Sequence, residues 1–241
     1  LFTWEWWNEV NFTPISEPDL TTWMISSKQA LYTWDPYKHM TTTSWSSAAA
    51  VRDWSPVDFV STHVYDGSDP IKSLRNQFEA IIKAVPDKPL LVAEMGSGTT
   101  SEDPFSDPKG LHLHNCQWAG LFVGFGAPAA YWWWDTYVDP LKLWSITTGM
   151  KKLIAGTDPV SMEPEEILGP TRTTALLLKS PQVTLGWIRH DDYQLSAKSS
   201  LLLQAAIAAL KSKKPIQTKF ADPVVKASTV KIPVLVAGNY V

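Results

Sequence analysis

Short apolar or β-branched runs alternate with longer segments of helical spacing through residues 1–158 of the chain. The short runs are, in chain order, LFTWEWW, HMTTTSW, VDFVSTHVY, PLLVAEM and PAAYWWW. Strands that are apolar along most of their length and separated by helices are typical of a parallel sheet that helices cover. Residues 1–158 therefore predict an α/β fold built from five β/α units.

The helical segments show where they begin and end. EPDLTTWMISSKQALYTW has helical spacing and stops at Asp35-Pro36, and a second helix is predicted to open at Asp69-Pro70 and to run to about Val85. GLHLHNCQWAGLFVGF and LKLWSITTGMKKLIAG predict two further helices, of which the last ends at Gly156.

The distribution of tryptophan changes along the chain. Of 13 tryptophans, all but Trp187 lie between Trp4 and Trp144. The segment TDPVSMEPEE supplies proline and charge without an apolar period, so a domain boundary is expected there, with a second domain over 159–241. In that domain TTALLLK, QVTLGWI and VKIPVLVA predict a small β-sandwich. Residues 196–214 do not fit, because they are more typical of a helix or of a poorly determined stretch of sequence.

Composition excludes several classes of function. A net charge of −3 without a run of Lys or Arg argues against nucleic-acid binding, and no apolar stretch approaches the 18 residues of a membrane span. The single Cys116 excludes an internal disulfide. The chain opens without an initiator Met, so the lack of a visible signal peptide decides nothing. Tryptophan faces stack on sugar rings, although filling a large core explains their number equally well.

Two glutamates lie where predicted strands end. Glu9 ends the predicted first strand in WEWWNEV, and Glu94 ends PLLVAEMG. The carboxyl ends of parallel barrel strands all reach one face, where the active site forms. Two carboxyl groups at that face can flank one glycosidic bond, one to protonate the leaving oxygen and one to attack carbon or activate water. Either glutamate alone would more often be a helix cap or a salt-bridge partner.

Further candidates surround this pair. Asn8 precedes Glu9 and can hydrogen-bond a sugar hydroxyl, and the hydroxyl of Tyr65 is expected to donate to Glu94. His63 shares a strand face with Tyr65 by alternation, but a core histidine and a rim aromatic are equally simple explanations. Trp132 and Trp134 share one face of the predicted last strand and are the expected sugar platform, with Trp133 facing the helices.

Two weaker patterns carry no site. His112-x-His114 resembles a metal-binding pair but lies at a helix start without a neighbouring acid, and Asp135 more simply caps a turn. No metal site and no organic cofactor is expected.

Taken in order, WEWWNEV, DPYKHMTTTSW, VDFVSTHVY, KPLLVAEMG and AAYWWWD resemble strands four to eight of clan A glycoside hydrolases. The resemblance covers about residues 1–156 and is nearest to family 5-like members, the cellulases, mannanases and β-1,3-glucanases. It implies a (β/α)8 TIM barrel whose strands one to three are absent from this chain. At about 30 residues per β/α unit, about 100 residues of barrel are then expected in the same gene product or in another chain.

The resemblance also implies roles for individual residues. The clan carries its acid/base on an Asn-Glu pair of strand four, which matches Asn8 and Glu9, and its nucleophile at the end of strand seven, which matches Glu94. The remaining matches are the His-x-Tyr of strand six at His63 and Tyr65 and the tryptophan of strand eight within Trp132–Trp134.

By resemblance, the expected function is a retaining glycoside hydrolase that cleaves a β-glucan or β-mannan by double displacement. The carboxyl groups of Glu9 and Glu94 should then lie about 5 Å apart, whereas about 9 Å would indicate inversion. The family also implies a secreted or periplasmic protein that degrades polysaccharide. The alternative is a non-catalytic carbohydrate-binding scaffold derived from such a barrel.

Overall fold

The computed structural model describes residues 2–46, 52–66, 69–98, 107–169, 172–191 and 193–194. Within these ranges the chain combines parallel strands and helices in its first part with an antiparallel sheet in its second part. The α/β class that the sequence predicts is therefore present.

The first part of the chain forms short parallel strands. They are, in chain order, β1 (Thr3–Glu5), β2 (Met40–Thr42), β3 (Ser44–Ser46), β4 (Val60–Tyr65) and β5 (Leu90–Gly96). β1 pairs with β2, and β3, β4 and β5 pair side by side in that order. Thr43 alone separates β2 from β3, and its hydroxyl donates to the Trp7 carbonyl at 2.8 Å. The two parallel sheets therefore meet at a single segment of chain.

Four α-helices accompany the strands in the described residues: α1 (Glu17–Leu31), α2 (Pro70–Ala84), α3 (Leu111–Val123) and α4 (Thr148–Ile154). α1 begins where the Ser16 side chain accepts from the Asp19 amide, and α2 begins where the Asp69 carboxylate accepts from two backbone amides. The predicted starts of both helices and the predicted end of α2 are confirmed, whereas α1 ends at Leu31, before the predicted stop at Asp35-Pro36. None of the described helices is long and apolar enough to cross a bilayer.

The prediction of a strand over PAAYWWW is wrong for the residues after Tyr131. In PAAYWWW, Tyr131 forms one parallel bridge with Met95, and a π-helical turn then occupies Trp134–Val138. The turn buries the Tyr137 ring completely and lets its hydroxyl hydrogen-bond Asp107, which an extended chain would not allow. The parallel sheets of the described residues hold two and three strands and are not closed into a barrel.

An antiparallel sheet follows. Its strands, in the order of pairing, are β6 (Glu163–Gly169), β7 (Thr173–Lys179) and β8 (Thr184–His190). β7 and β8 confirm two predicted strands. The sequence pattern did not predict β6, because EPEEILG carries three Glu and a proline; as an edge strand it tolerates Pro164. VKIPVLVA and residues 196–214 lie outside the described residues, so the β-sandwich stays a prediction.

The antiparallel sheet packs on the helices of the first part. Trp187 of β8 lies 5.9 Å, ring centre to ring centre, from Trp118 of α3. Arg75 of α2 forms an ion pair with Glu166 of β6 at 2.5 Å. The apolar side chains of both parts belong to one continuous core.

Candidate active site

β4 and β5 carry three of the predicted site residues side by side. Their register pairs His63 with Glu94 and Tyr65 with Gly96, and it skips Ala93, which forms a β-bulge in β5. Bulges re-aim the side chains that follow them and are frequent beside active sites. Here the bulge brings the Glu94 carboxylate next to the imidazole of His63.

Glu9 reaches the same place on a turn after β1 has ended. Its backbone is left-handed, with φ 50° and ψ 53°, a conformation that costs a non-glycine residue about 1–2 kcal/mol. The Glu9 amide donates to Ser44 Oγ at 2.9 Å, and the next side chain, Val10, is buried in the core. Strained residues that their surroundings hold in place are concentrated at functional sites.

His63 stands between the two carboxyl groups. Its Nδ1 lies 2.9 Å from Glu9 Oε1 and 3.2 Å from Glu94 Oε2, and its side chain is almost completely buried. One ligand atom each from Glu9, His63 and Glu94 lies within 4.8 Å of the other two, so the two carboxyl groups are close enough to act on one bond. An ionised carboxylate only accepts, so the ring or a protonated carboxyl must supply the proton of each contact.

The hydroxyl of Tyr65 completes this group. It donates to Glu94 Oε2 at 2.6 Å, as the sequence predicts. Burial, followed by the hydrogen bond and the charge of Glu94, raises the pKa of the Tyr65 hydroxyl well above its ordinary range. Tyr65 therefore remains protonated at neutral pH and is a constant donor to the Glu94 carboxylate.

The same three side chains offer ligands of the kind that divalent cations take. One atom each from Glu9, His63 and Glu94 could contact a single ion. A metal bound by His63 Nδ1 would displace any proton carried there, so metal binding and hydrogen bonding to the two carboxyl groups are competing states of one site. The proton fits the observed distances of hydrogen-bond length without any rearrangement.

The predicted aromatic platform follows the chain segment beside β5, where the Trp132 amide donates to the Met95 carbonyl at 2.9 Å, one residue after Glu94. Trp132 and Trp134 are 44% and 56% exposed, and the strand face that they were expected to share is interrupted by the π-helical turn. Trp133 does not face only the helices: a Cβ built on Gly96 would lie 3.1 Å from both the Trp133 indole nitrogen and the Tyr65 ring. The indole nitrogen of Trp133 is buried without a hydrogen-bond partner among the described residues.

Among the remaining sequence candidates, Asn8 shares the Ser44 hydroxyl with the Glu9 amide. Asn8 is exposed, and its Oδ1 accepts from the Ser44 hydroxyl at 3.3 Å. Asp135 is exposed as well. His112 is buried, and its Nε2 donates to the Asp66 carbonyl at 2.6 Å while its Nδ1 faces the Tyr131 hydroxyl. Burial lowers the pKa of His112, so its ring is neutral at pH 7 and hydrogen-bonded within the core.

Sequence reasoning missed two residues that support the site, Ser44 and Gly96. Ser44 holds the Glu9 amide across 35 positions of chain, and only the pairing of strands brings the two together. Gly96 gives Tyr65 and Trp133 room for their rings, which the presence of a glycine after AEM could have suggested.

Comparison with known proteins gives little that bears on function. No family model matches the chain, and no curated protein matches it significantly. Among solved structures, a GH39 beta-xylosidase from Caulobacter crescentus is similar over 53% of this chain and 32% of that chain, with 21% identity and a TM-score of 0.40. The matched part of this chain thus spans about a third of that structure.

Proposed function

We propose that this protein is a retaining β-glycoside hydrolase with Glu94 as nucleophile and Glu9 as acid/base. The observation that carries the proposal is that one oxygen of Glu9 and one of Glu94 lie within 4.8 Å of each other, both in contact with His63. Retaining enzymes hold their two carboxyl groups about 5–5.5 Å apart and inverting enzymes hold them farther apart to admit a water, so this close approach supports the retaining mechanism.

In the first step Glu94 attacks the anomeric carbon while Glu9 passes its proton to the glycosidic oxygen. The C–O bond to the leaving sugar breaks, and an ester bond to Glu94 forms. The Tyr65 hydroxyl, 2.6 Å from Glu94 Oε2, holds the attacking carboxylate in one orientation. His63 Nδ1 can donate to whichever carboxyl group is ionised at each stage.

In the second step Glu9, now ionised, takes a proton from water. The resulting hydroxide equivalent attacks the anomeric carbon from the face that the leaving group vacated and releases Glu94. Two inversions give net retention of configuration. The site therefore returns to its starting protonation without a cofactor in the proposed mechanism.

The substrate class that we propose is a β-glucan or β-mannan, cleaved outside the cell or in the periplasm. The exposed rings of Trp132 and Trp134 offer surfaces for sugar stacking near the end of β5. The rest of a (β/α)8 barrel is proposed to come from the same gene product or from another chain, since β1 pairs only with β2 among the described residues.

Azide rescue tests the two roles in one experiment. Glu94→Ala should lose turnover, and azide should restore it with an azide product of inverted configuration. Glu9→Ala should still form the intermediate from aryl glycosides with good leaving groups, and azide should then give a product of retained configuration. Exchanged stereochemistry would mean that the roles are exchanged. An active wild type whose two variants both fail to respond to azide would contradict the mechanism.

A carbohydrate-binding scaffold is the second candidate, and the exposed tryptophans favour it. Release of reducing sugar from a β-glucan and β-mannan panel separates the two functions, because a scaffold binds these polymers without cleaving them. The same assay with and without EDTA tests the metal-bound state of the Glu9–His63–Glu94 group. Loss of activity in EDTA that Zn²⁺ restores would replace the double displacement with metal-assisted hydrolysis.

A further inference from the structure

Arg189 departs from the apolar pattern of β8. Along this strand Leu185, Trp187 and Arg189 are buried, while Gly186 and Ile188 between them are exposed. The buried face packs against α3, so an arginine occupies a position where alternation favours an apolar residue. Its side chain is only 5% exposed.

The charge of Arg189 is poorly compensated. Its Nε and Nη1 are buried and have no hydrogen-bond partner in the part of the chain that the structure describes. Its Nη2 lies 3.5 Å from Asp69 Oδ1, an atom that already accepts from the backbone amides of Ile71 and Lys72. A buried guanidinium is costly unless an anion and full hydrogen bonding accompany it.

Arg189 lines a cavity of about 290 Å³ between α3 and β8. Trp187 and His114 form an aromatic wall, and burial lowers the pKa of His114, which keeps its ring neutral. Asn115 also lines the cavity; its Nδ2 donates to the Tyr193 carbonyl at 2.8 Å, but its Oδ1 is buried without a partner among the described residues. The wall thus offers unused donors, an unused acceptor and an apolar surface.

We propose that this cavity binds a single-ring sugar acid of the hexuronate class. The carboxylate would pair with the guanidinium of Arg189, a ring hydroxyl would donate to Asn115 Oδ1, and the C–H face of the ring would pack on Trp187. The volume lies at the lower end of small-molecule sites, which suits one ring. No lining residue belongs to the Glu9–Glu94 site, so this proposal stands apart from the hydrolytic one.

Calorimetric titration of the full chain with D-glucuronate tests the proposal. Wild type should show saturable binding, and Arg189→Met should weaken it at least tenfold. Glucose, which lacks the carboxylate, and acetate, which lacks the ring, should each bind at least tenfold more weakly than glucuronate. Lys151→Met, which removes an exposed cation elsewhere, is the matched control and should bind as wild type does.

Arg189→Met should fold, because apolar replacement of a poorly paired buried charge is often neutral or stabilising. Asn115→Asp provides a second variant: a negative charge on the cavity wall should weaken glucuronate at least tenfold while Arg189 stays in place. Undetectable binding to wild type, or equal binding to wild type and both variants, would overturn the proposal.

An acidic side chain of this same chain, instead of a ligand, could pair with Arg189, and the titration distinguishes this case. Residues 195–241 contain one acidic side chain, Asp222. If glucuronate bound to Asp222→Asn but not to wild type, Arg189 would be the partner of that aspartate, and the ligand site proposed here would be wrong.

Discussion

Glu94 lies in a strand that is paired along its length, whereas Glu9 lies on a left-handed residue after its strand has ended. The Glu94 side chain is 12% exposed and accepts from Tyr65, while the Glu9 side chain is 24% exposed. Ser44 holds Glu9 by its backbone amide. His63 contacts both carboxyl groups. The two residues differ in their second contact: Tyr65 holds Glu94 by its side chain, whereas Ser44 holds Glu9 by its main chain.

This difference suits the two roles proposed for the pair. A nucleophile forms a bond to one carbon atom and benefits from a single fixed orientation. An acid/base meets a glycosidic oxygen in one step and a water molecule in the next, so its carboxyl must serve two positions. A fixed backbone with a more exposed side chain allows this.

The largest expected effect is on kcat/KM, and its dependence on the leaving group of the substrate should differ between variants of Glu94 and Glu9. Glu94→Gln should lower kcat/KM on every substrate by at least about 10⁴-fold, because no nucleophile remains. Glu9→Gln should lose as much on oligosaccharides but form the glycosyl-enzyme from dinitrophenyl glycosides within about tenfold of the wild-type rate, since that leaving group needs no proton. Single-turnover release of dinitrophenolate measures this step. Equal losses in both variants would remove the proposed distinction.

The hydroxyl of Tyr65 should matter next most. Tyr65→Phe removes the donor to Glu94 and should lower kcat/KM roughly 10–100-fold on all leaving groups. Tyr37→Phe, an exposed tyrosine, is the matched control and should have no effect. A loss confined to poor leaving groups would place Tyr65 with the acid/base instead.

The raised pKa of Tyr65 adds a pH dependence to the same comparison. The hydroxyl is more easily ionised in the unfolded chain, whose pKa is near the ordinary 10.0, than in the fold. Its contribution to stability is therefore complete below pH 10 and is lost as pH rises further. Urea unfolding of wild type and Tyr65→Phe between pH 8 and 11 should show a steeper alkaline loss for wild type. Parallel curves would contradict the raised pKa.

Ser44→Ala tests the support of Glu9 with a smaller effect. The Glu9 amide would lose its acceptor and the left-handed turn its anchor, so kcat/KM on oligosaccharides should fall about tenfold. On dinitrophenyl glycosides the loss should stay below about twofold, because proton donation is not needed. Ser46→Ala on the same strand is the control, since Ser46 contacts Asn11 by its backbone amide. A uniform loss on both substrates would point to general damage to the sheet.

The smallest expected effect is on the free energy of unfolding, and it compares the backbone conformations at Glu9 and Glu94. Glycine adopts the left-handed conformation freely, so Glu9→Gly should be more stable than Glu9→Ala by about 1 kcal/mol. In a strand the order reverses, and Glu94→Gly should be less stable than Glu94→Ala by about 0.5–1 kcal/mol. Urea unfolding measures both pairs. The same sign at both positions would mean that Glu9 is not left-handed in solution.

The meeting of Glu9, His63, Tyr65 and Glu94 is predictable from sequence, because parallel strands bring their carboxyl ends to one edge. The left-handed turn at Glu9 is not, since nothing in WEWWNEV excludes continued strand. The three tryptophans of PAAYWWW favour a strand by local propensity, but the burial of Tyr137 outweighs that preference.

The unpredicted parts of the fold depend on long-range contacts. β6 is a strand because β7 pairs with it and Arg75 binds Glu166, and neither contact leaves a local pattern in EPEEILG. Alternation along β8 places a charged residue, Arg189, on the buried face, where an apolar residue is expected. The cavity beside Arg189 therefore could not be predicted from the sequence pattern.

Helix α3 is buried on nearly all sides, with β5 on one side and the antiparallel sheet against it as well. A helix without a solvent face has no stable form apart from both of its neighbours. The two parts of the chain should consequently melt in a single transition, although their strands run in different patterns. A chain ending at residue 158 would expose Trp118 and the apolar side chains around it, and self-association would then compete with folding.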